Sequence, residues 1–450
     1  MADNIACIIL AAGRGERMKS SIPKVLHPIC GREMLGYVLD LVKGLKINKV
    51  IAVLGHKHNE VSSFLKTPPL NVSGGSTLVG NRYRKGYPCG VRKFLKPGIK
   101  VVIQKRLLGT ADAVKQALIR LRNFKGTVLI LYGDNPLLKK ETINRLLKHH
   151  VENNLDATLL TAKMDKPTGY GRVLRDKYSS ICGIVEEKDA DDFQKDIKEV
   201  NTGIICFNKD RLSDALKYVK PDNRKKEYYL TDTIGILYKR GYLIDSTRVS
   251  DIDEALGINS HLDLARASKI MQKRINEDLM KKGIMIVDPD STFISYGAKV
   301  GCDTKIYPFT VIEKNVKIGK RCCVGPFVHL RDGTCIEDDV VVGNFIEITR
   351  SRLATKTLAR HFSYIGDSRI GRLVNIGAGV VTANFDGAKK NITVIEDRAF
   401  IGSDTVLIAP VKIGKAAKTG AGAVVTKKMD VPPGSIVVGV PARPLKQRKR

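Results

Sequence analysis

The sequence predicts a chain in two parts, a Rossmann-like α/β domain followed by a parallel β-helix of six-residue repeats. Two observations predict it. In the N-terminal half, apolar runs of strand length alternate with stretches whose apolar residues fall at helical spacing, the pattern of strand-helix-strand units. In the C-terminal half, aliphatic residues stand at every sixth position: Val300, Ile306, Ile312, Ile318, Val324, Leu330, Ile336, Val342 and Ile348, then Ile395, Ile401, Leu407 and Ile413. A period of six is neither helical nor that of a simple strand. It marks a solenoid in which three short strands per coil each point one aliphatic side chain inward, and the coils stack into a triangular prism. The interruptions at 349–367 and 383–393 are expected to be loops thrown outward, where a solenoid usually carries its site.

From the N-terminus, residues 5–10 are an apolar, β-branched strand that ends abruptly in Ala11-Ala12-Gly13-Arg14-Gly15, followed by Arg17 and by Pro23-Lys24. A buried strand feeding a small-residue loop exposes backbone N–H groups, and two cations stand just beyond them, which makes a phosphate cradle. No Gly-Lys-Ser/Thr closes it, and Met18 stands where a dinucleotide loop needs its third Gly. Residues 34–45 have helical spacing, and 49–54 form a second strand ending in Gly55-His56. This order implies a parallel sheet with its ligand crevice at the strand C-termini.

Residues 67–100, rich in Pro, Gly and cations without a sustained period, read as a surface excursion or as a lid or contact for an anionic partner. The sheet resumes at 101–104, and Gly109-Thr110 opens a helix, offering backbone donors and a hydroxyl to a base or phosphate. The strand at 127–131 delivers Tyr132-Gly133-Asp134. A carboxylate just past a buried strand is placed to hold Mg²⁺ against phosphate oxygens, or simply to cap a helix. Polar interruptions at 168–172, 184–189 and 200–203 supply the hydrogen-bonding groups that a neutral sugar needs from several loops. Residues 262–280 form a charged amphipathic helix, expected as the linker between halves.

The string LAAGRGERM followed by Pro23-Lys24 resembles the signature of sugar-1-phosphate nucleotidyltransferases, and PKVLH at 23–27 resembles their hexosamine uridylyltransferase branch. The resemblance implies that Leu10, Ala11, Ala12 and Gly13 hold the nucleotide phosphates, while Arg17 and Lys24 neutralise charge at the transferring phosphate. It assigns Gln104, Gly109 and Thr110 to the uracil edge, Tyr132 and Gly133 to the nucleotide pocket, and Asp134 with Asn259 to Mg²⁺. Gly171, Glu186 and Asn201 are assigned to the N-acetylglucosamine moiety. EYYLTD at 227–232 is also similar to this family.

In the second half, GPFVHLR (325–331), VGNFIE (342–347), HFSYIGD (361–367), NIGAG (375–379), NFDG (384–387) and GSDT (402–405) with APV (409–411) follow the order found in bifunctional UDP-N-acetylglucosamine synthases. The resemblance therefore covers both halves. It implies an α/β Rossmann-like nucleotidyltransferase domain at 1–258, a linker helix at 259–283, and a left-handed parallel β-helix of hexapeptide repeats at 284–450 that works as a homotrimer with sites between neighbouring prisms. His361, expected in the first outward loop, would be the base that deprotonates an amine, since imidazole titrates near neutrality. Glu347 would orient it. Arg331, Tyr364, Asn375 and Lys390 would bind glucosamine-1-phosphate, and Ala378, Asn384, Phe385, Ser403 and Ala421 would line the acetyl-CoA cleft, with Arg443 a candidate for a C-terminal coenzyme contact.

The sequence departs from the family at Glu16, commonly Thr; at Thr349, where a phosphate-binding Lys is usual and Arg350 follows; at Phe385, usually Tyr; and in having fewer N-terminal coils. The activity implied is acetyl transfer from acetyl-CoA to glucosamine-1-phosphate, then uridylyl transfer from UTP to N-acetylglucosamine-1-phosphate, which feeds peptidoglycan and lipopolysaccharide synthesis. One alternative is a nucleotidyltransferase whose prism is only a trimerisation scaffold; another is a non-catalytic polyanion-binding scaffold.

Composition bounds these readings. A chain of 450 residues exceeds one core. No apolar run approaches the roughly 20 residues that span a bilayer, and Asp3 stands where a signal peptide would be basic, so a cytoplasmic protein without membrane segments is expected. Nine cysteines without CxxC pairs fit reduced thiols, with Cys322 and Cys323 packing residues. The net charge of +31 attracts polyanions, yet the cations are scattered without aromatic interleaving apart from the cluster at 446–450. Nucleoside triphosphate, sugar phosphate and coenzyme A are sufficient anionic partners, and nucleic acid is not expected.

Overall fold

The computed structural model of the chain describes residues 4–66 and 98–445. The insertion at 67–100, apart from its last three residues, and the basic tail 446–450 lie outside the described residues. The chain forms two compact units, Met1–Ser268 and Lys269–Arg450.

The first unit is built on strand β1 (Ile5–Ala11), every residue of which is buried. It pairs in parallel with β2 (Lys49–Leu54) on one side and, on the other, with β4 (Thr127–Tyr132); β3 (Ile99–Ile103) extends the sheet beyond β2. Cys7 and Ile9 enter one apolar cluster, whereas Ala6, Ile8 and Leu10 enter another. Both faces of the strand are covered, which is why it reads as a continuous apolar run instead of an alternation.

Beyond β4 the sheet continues through β8 (Glu199–Asn208), β5 (Ala157–Lys163) and β9 (Ile244–Arg248). The expected parallel sheet is in fact mixed, because β8 runs antiparallel to both β4 and β5. β8 is reached through an antiparallel ribbon, β6 (Gly171–Arg175) with β7 (Ile181–Val185), instead of a crossover helix. Its reversed direction brings the start of β8, with Asn201, to the edge where β4 delivers Tyr132: a Cβ added at Gly203 would lie 2.9 Å from the Tyr132 ring.

In the second unit each sheet is made of every third strand, except at the C-terminal end of the largest, where Arg443–Pro444 adds an antiparallel strand to Ile436–Val438; three sheets of ten, eight and seven strands form the faces of a prism. The six-residue aliphatics point inward, Ile306, Ile312, Ile318, Val324, Leu330, Ile336, Val342 and Ile348 among them, and fuse into one core. Stacked coils bury a continuous column that no single coil could bury alone.

The interruption at 349–367 is not an outward loop. The coils continue through strands Arg352–Leu353, Leu358–Ala359 and Ser363–Gly366, with Leu353, Ala359 and Ile365 in the core. The period is hidden because two corners are one residue short, placing Leu353 and Ile370 five residues after the preceding inward side chain. Arg350 (φ 46°) and Asp367 (φ 48°) turn those corners in the left-handed region. The interruption at 383–393 does leave the prism, as a hairpin between strands Val381–Ala383 and Thr393–Ile395 closed by an antiparallel bridge of Phe385 with Lys390.

Candidate active sites

At the C-terminal edge of the first unit's sheet, the loop after β1 holds Gly15 at φ 65°, and a Cβ there would stand 2.7 Å from Lys24 Cβ. Glycine is needed on both counts, and its bareness lets the Lys24 stem pack against the loop. Lys24 Nζ forms an ion pair with Asp134 and donates to Asn259 Oδ1 at 2.8 Å, so three residues predicted from distant stretches meet at one point. The Lys24 and Asp134 side chains are each only 15% exposed, where an ion pair is screened far less than at the surface. Asp134 is further fixed through its carbonyl, which accepts from Ile258 N at 3.2 Å, and Asn259 N donates to Asp263 Oδ2 at 3.1 Å.

Two hard oxygens, the Asp134 carboxylate and the Asn259 amide, thus converge on one cation, the Lys24 ammonium, and their donor chemistry also fits Mg²⁺ completed by substrate phosphates. Among the described residues no group of three or more His, Cys, Asp or Glu is arranged around a metal. Leu10, Ala11 and Ala12 are buried, whereas Gly13 and Arg17 are exposed. Arg17 lies on the turn Glu16–Met18, and Glu16 is likewise exposed, pairing with Arg14 at 3.6 Å.

The predicted base-reading residues also meet. Gln104 Nε2 donates to the Gly109 carbonyl at 3.0 Å, and Thr110 Oγ1 accepts from Leu230 N at 2.9 Å. Gly109, at φ 114°, lets the chain pass the Tyr228 backbone, whose N would lie 2.8 Å from an added Cβ. On the sugar side, Glu186 Oε1 accepts from Thr231 Oγ1 at 3.1 Å, while Oε2 would lie 3.4 Å from a Cβ at Gly171. Burial pushes the Glu186 carboxyl up and Asp189 adds to it, against the Thr231 hydroxyl and Lys225. Burial, with Glu186 and Asp134 nearby, likewise pushes the Tyr132 phenol well up. Asn201 Oδ1 accepts from Gly203 N at 3.1 Å in the bulge of β8.

In the second unit, His361 is exposed on the corner between Leu358–Ala359 and Ser363–Gly366, not in an extruded loop. Hydrogen bonds from Gly379 N to Phe362 O, Asp404 N to Ala378 O and Gly422 N to Ser403 O step up this corner coil by coil. His361, Ala378, Ser403 and Ala421 therefore form one column, with successive coils roughly 4.8 Å apart. The predicted base and the predicted coenzyme residues lie along one prism edge.

On the adjacent face Glu347 and Tyr364 are register partners, and Glu347 Oε1 accepts from Arg331 Nη1 at 2.9 Å. Thr349 is 2% exposed and unavailable to a ligand. Arg350 Nε and Nη2 pair with Asp367 at 2.7 and 2.8 Å, Nη1 donates to Thr349 Oγ1 at 2.9 Å, and Asn384 Nδ2 donates to the same Asp367 carboxylate. Burial pushes the Asp367 carboxyl up, but Arg350 and Asn384 outweigh it and hold it low. The two short corners thus stack Arg350 under Asp367 and clasp the base of the hairpin that carries Phe385 and Lys390. Asn375 lies apart from Tyr364, on the ten-stranded face between Leu358 and Phe400. Arg443 is exposed in the last strand, opposite Val438.

Sequence reasoning missed Thr231, Asp112 and Asp367 as partners of site residues. Asp112 was visible only as an acid in the first turn of a helix, and its partner lies on the preceding strand end.

Residues 7–196 match the MobA-like NTP transferase domain family, and residues 297–332 and 392–427 match the bacterial transferase hexapeptide (six repeats) family. The chain is 41% identical to the "Bifunctional protein GlmU" of Thermosipho africanus over 96% of this chain and 94% of that one. It is 39% identical to the protein so named in Geobacillus sp. (96% and 94% covered) and 37% identical to that of Halalkalibacterium halodurans (97% and 96% covered).

Proposed function

Because the chain belongs to the bifunctional GlmU family, we propose that its first unit carries the uridylyl transfer and its second the acetyl transfer of UDP-N-acetylglucosamine synthesis. The observation that carries the first assignment is the convergence of Lys24, Asp134 and Asn259 at the sheet edge beside the phosphate loop.

An oxygen of the N-acetylglucosamine-1-phosphate group attacks the UTP α-phosphorus; that P–O bond forms as the bond to pyrophosphate breaks. Lys24 and Arg17 stabilise charge on the transferring phosphoryl oxygens. Gln104, Gly109 and Thr110 hold the base, and Gly171, Glu186 and Asn201 hold the sugar. Asp134 and Asn259 would hold Mg²⁺, which supplies charge neutralisation at the phosphates when bound.

In the second unit the amine of glucosamine-1-phosphate attacks the thioester carbonyl of acetyl-CoA, His361 takes its proton, and the coenzyme thiol leaves. Ala378, Ser403 and Ala421, small residues on the His361 edge, leave room for the coenzyme, with Asn384 and Phe385 at the hairpin. Arg331, Tyr364 and Lys390 bind the acceptor, and Asn375, carried apart from them on the ten-stranded face, joins them only from a neighbouring subunit. Glu347 bonds Arg331, so its part is to orient the acceptor-binding side chain more directly than the base.

A homotrimer completes this site, and an exposed aromatic column supports it: Phe309, Phe327 and Phe345 are 55%, 45% and 60% exposed and stack on the same edge at centroid distances of 4.9 and 5.0 Å. Unpaired apolar area of this kind is ordinarily covered by a partner. Among the described residues no helix is long and apolar enough to cross a membrane.

Pyrophosphate release from UTP and N-acetylglucosamine-1-phosphate tests the assignment. Asp134→Ala should lower it by about a thousandfold, and chelation of Mg²⁺ should abolish it, while acetyl transfer persists in both cases. Parallel loss of both activities from a folded protein would refute separate sites.

A further inference from the structure

Gln104 stands just past β3 and is 4% exposed. Its amide nitrogen spends both hydrogens inside the protein, on Asp112 Oδ2 at 2.6 Å and on the Gly109 carbonyl at 3.0 Å. Carboxylate and carbonyl oxygens only accept. Turning the amide over would set Gln104 Oε1 against both of them, replacing two hydrogen bonds by two repulsions in a buried place. Asp112 is itself held, in the first turn of the helix Thr110–Leu118, where a carboxylate is favoured, with Oδ1 accepting from Gln116 Nε2 at 3.4 Å. Gln104 Oε1 has no partner among the described residues.

We infer that Asp112 is a specificity-determining positioning residue: by capturing the Gln104 amide nitrogen it presents Oε1, and only Oε1, to the base, and so selects a ring N3–H. Uracil carries a donor at N3, whereas cytosine carries a lone pair there, which an acceptor repels. The Gly109 carbonyl alone opposes the reversed amide through one hydrogen bond; the carboxylate adds the second and stronger, charged one. The inference rests on the reading that Gln104 contacts the base.

The test is kcat/KM for UTP and for CTP on the full chain, comparing wild type with Asp112→Asn, Asp112→Glu and Gln104→Ala, with the thermal melt of each variant and its far-UV circular dichroism as the measure of folding. Asp112→Asn offers an amide that can donate to a reversed Gln104, while the Gly109 carbonyl still opposes the reversal, so the UTP/CTP ratio should fall by about tenfold, the worth of one hydrogen bond in a buried site. Asp112→Glu keeps a carboxylate acceptor and should retain most of the ratio. An unchanged ratio in Asp112→Asn, or an equal loss in Asp112→Glu, overturns the role of Asp112 if Gln104→Ala still loses the ratio. An unchanged ratio in Gln104→Ala overturns instead the reading that Gln104 meets the base.

Discussion

Asp232 begins the helix Asp232–Lys239 among other carboxylates: burial, with Glu186, Asp189 and Asp222, pushes its carboxyl up to about 6. A carboxyl raised above its unfolded value binds its proton more tightly in the folded protein. Its contribution is therefore fully present below the unfolded value of 3.8 and is lost as the pH rises through about 6. Asp232→Asn should raise stability by about 2 kcal/mol at pH 8 and change it little at pH 3.5, which thermal melts at the two values would check. No gain at pH 8 would mean that the carboxylate is better solvated than its surroundings indicate. Stretches that fix a residue's place by themselves, such as Pro23-Lys24 or the buried β4 that delivers Asp134, were legible in the sequence, and the structure brings Lys24 and Asp134 together. Thr231 on Glu186 and Asp112 on Gln104 were not, because each is a side-chain contact made only once separate elements are packed. Arg17, expected beside Lys24, is exposed on its turn, while Lys24 alone reaches Asp134.

Among the elements, β1 was legible because burial on both faces leaves an unbroken apolar run. The direction of β8 was not, since an antiparallel strand buried in a mixed sheet has the same composition as a parallel one. In the prism, period six revealed the coils wherever corners had uniform length. Two corners one residue short shifted the phase and disguised three good strands as a loop, although Leu353, Ala359 and Ile365 lie in the core. The same short corners build the Arg350–Asp367–Asn384 clasp, so the irregularity that defeated the pattern shapes the acceptor side of the prism. The aromatic column, which continues the His361 edge downward, yields an element-scale prediction. If the proposed trimer forms through this column, Phe327→Asp should yield monomer in light scattering and cut acetyl transfer by at least tenfold, because a buried unpaired charge strongly disfavours association. An intact trimer would place the interface on another face.

Across the whole molecule, one chain of a bifunctional family offers a candidate site in each unit: strand C-termini with a glycine loop in Met1–Ser268, and a column of corner residues in Lys269–Arg450. The net charge of +31 suits a protein whose substrates are all phosphates or a nucleotide coenzyme. The second chemistry bears the greater burden, since Thr349 is buried where a phosphate-binding lysine is usual and Arg350 is engaged by Asp367. The most direct measurement is thiol release from acetyl-CoA with glucosamine-1-phosphate as acceptor, wild type against His361→Ala, with pyrophosphate release followed in parallel. The account predicts release that requires the acceptor, falls by about a hundredfold or more in His361→Ala, and leaves uridylyl transfer unchanged. No release from the folded wild-type protein would contradict it and leave a uridylyltransferase on a structural prism.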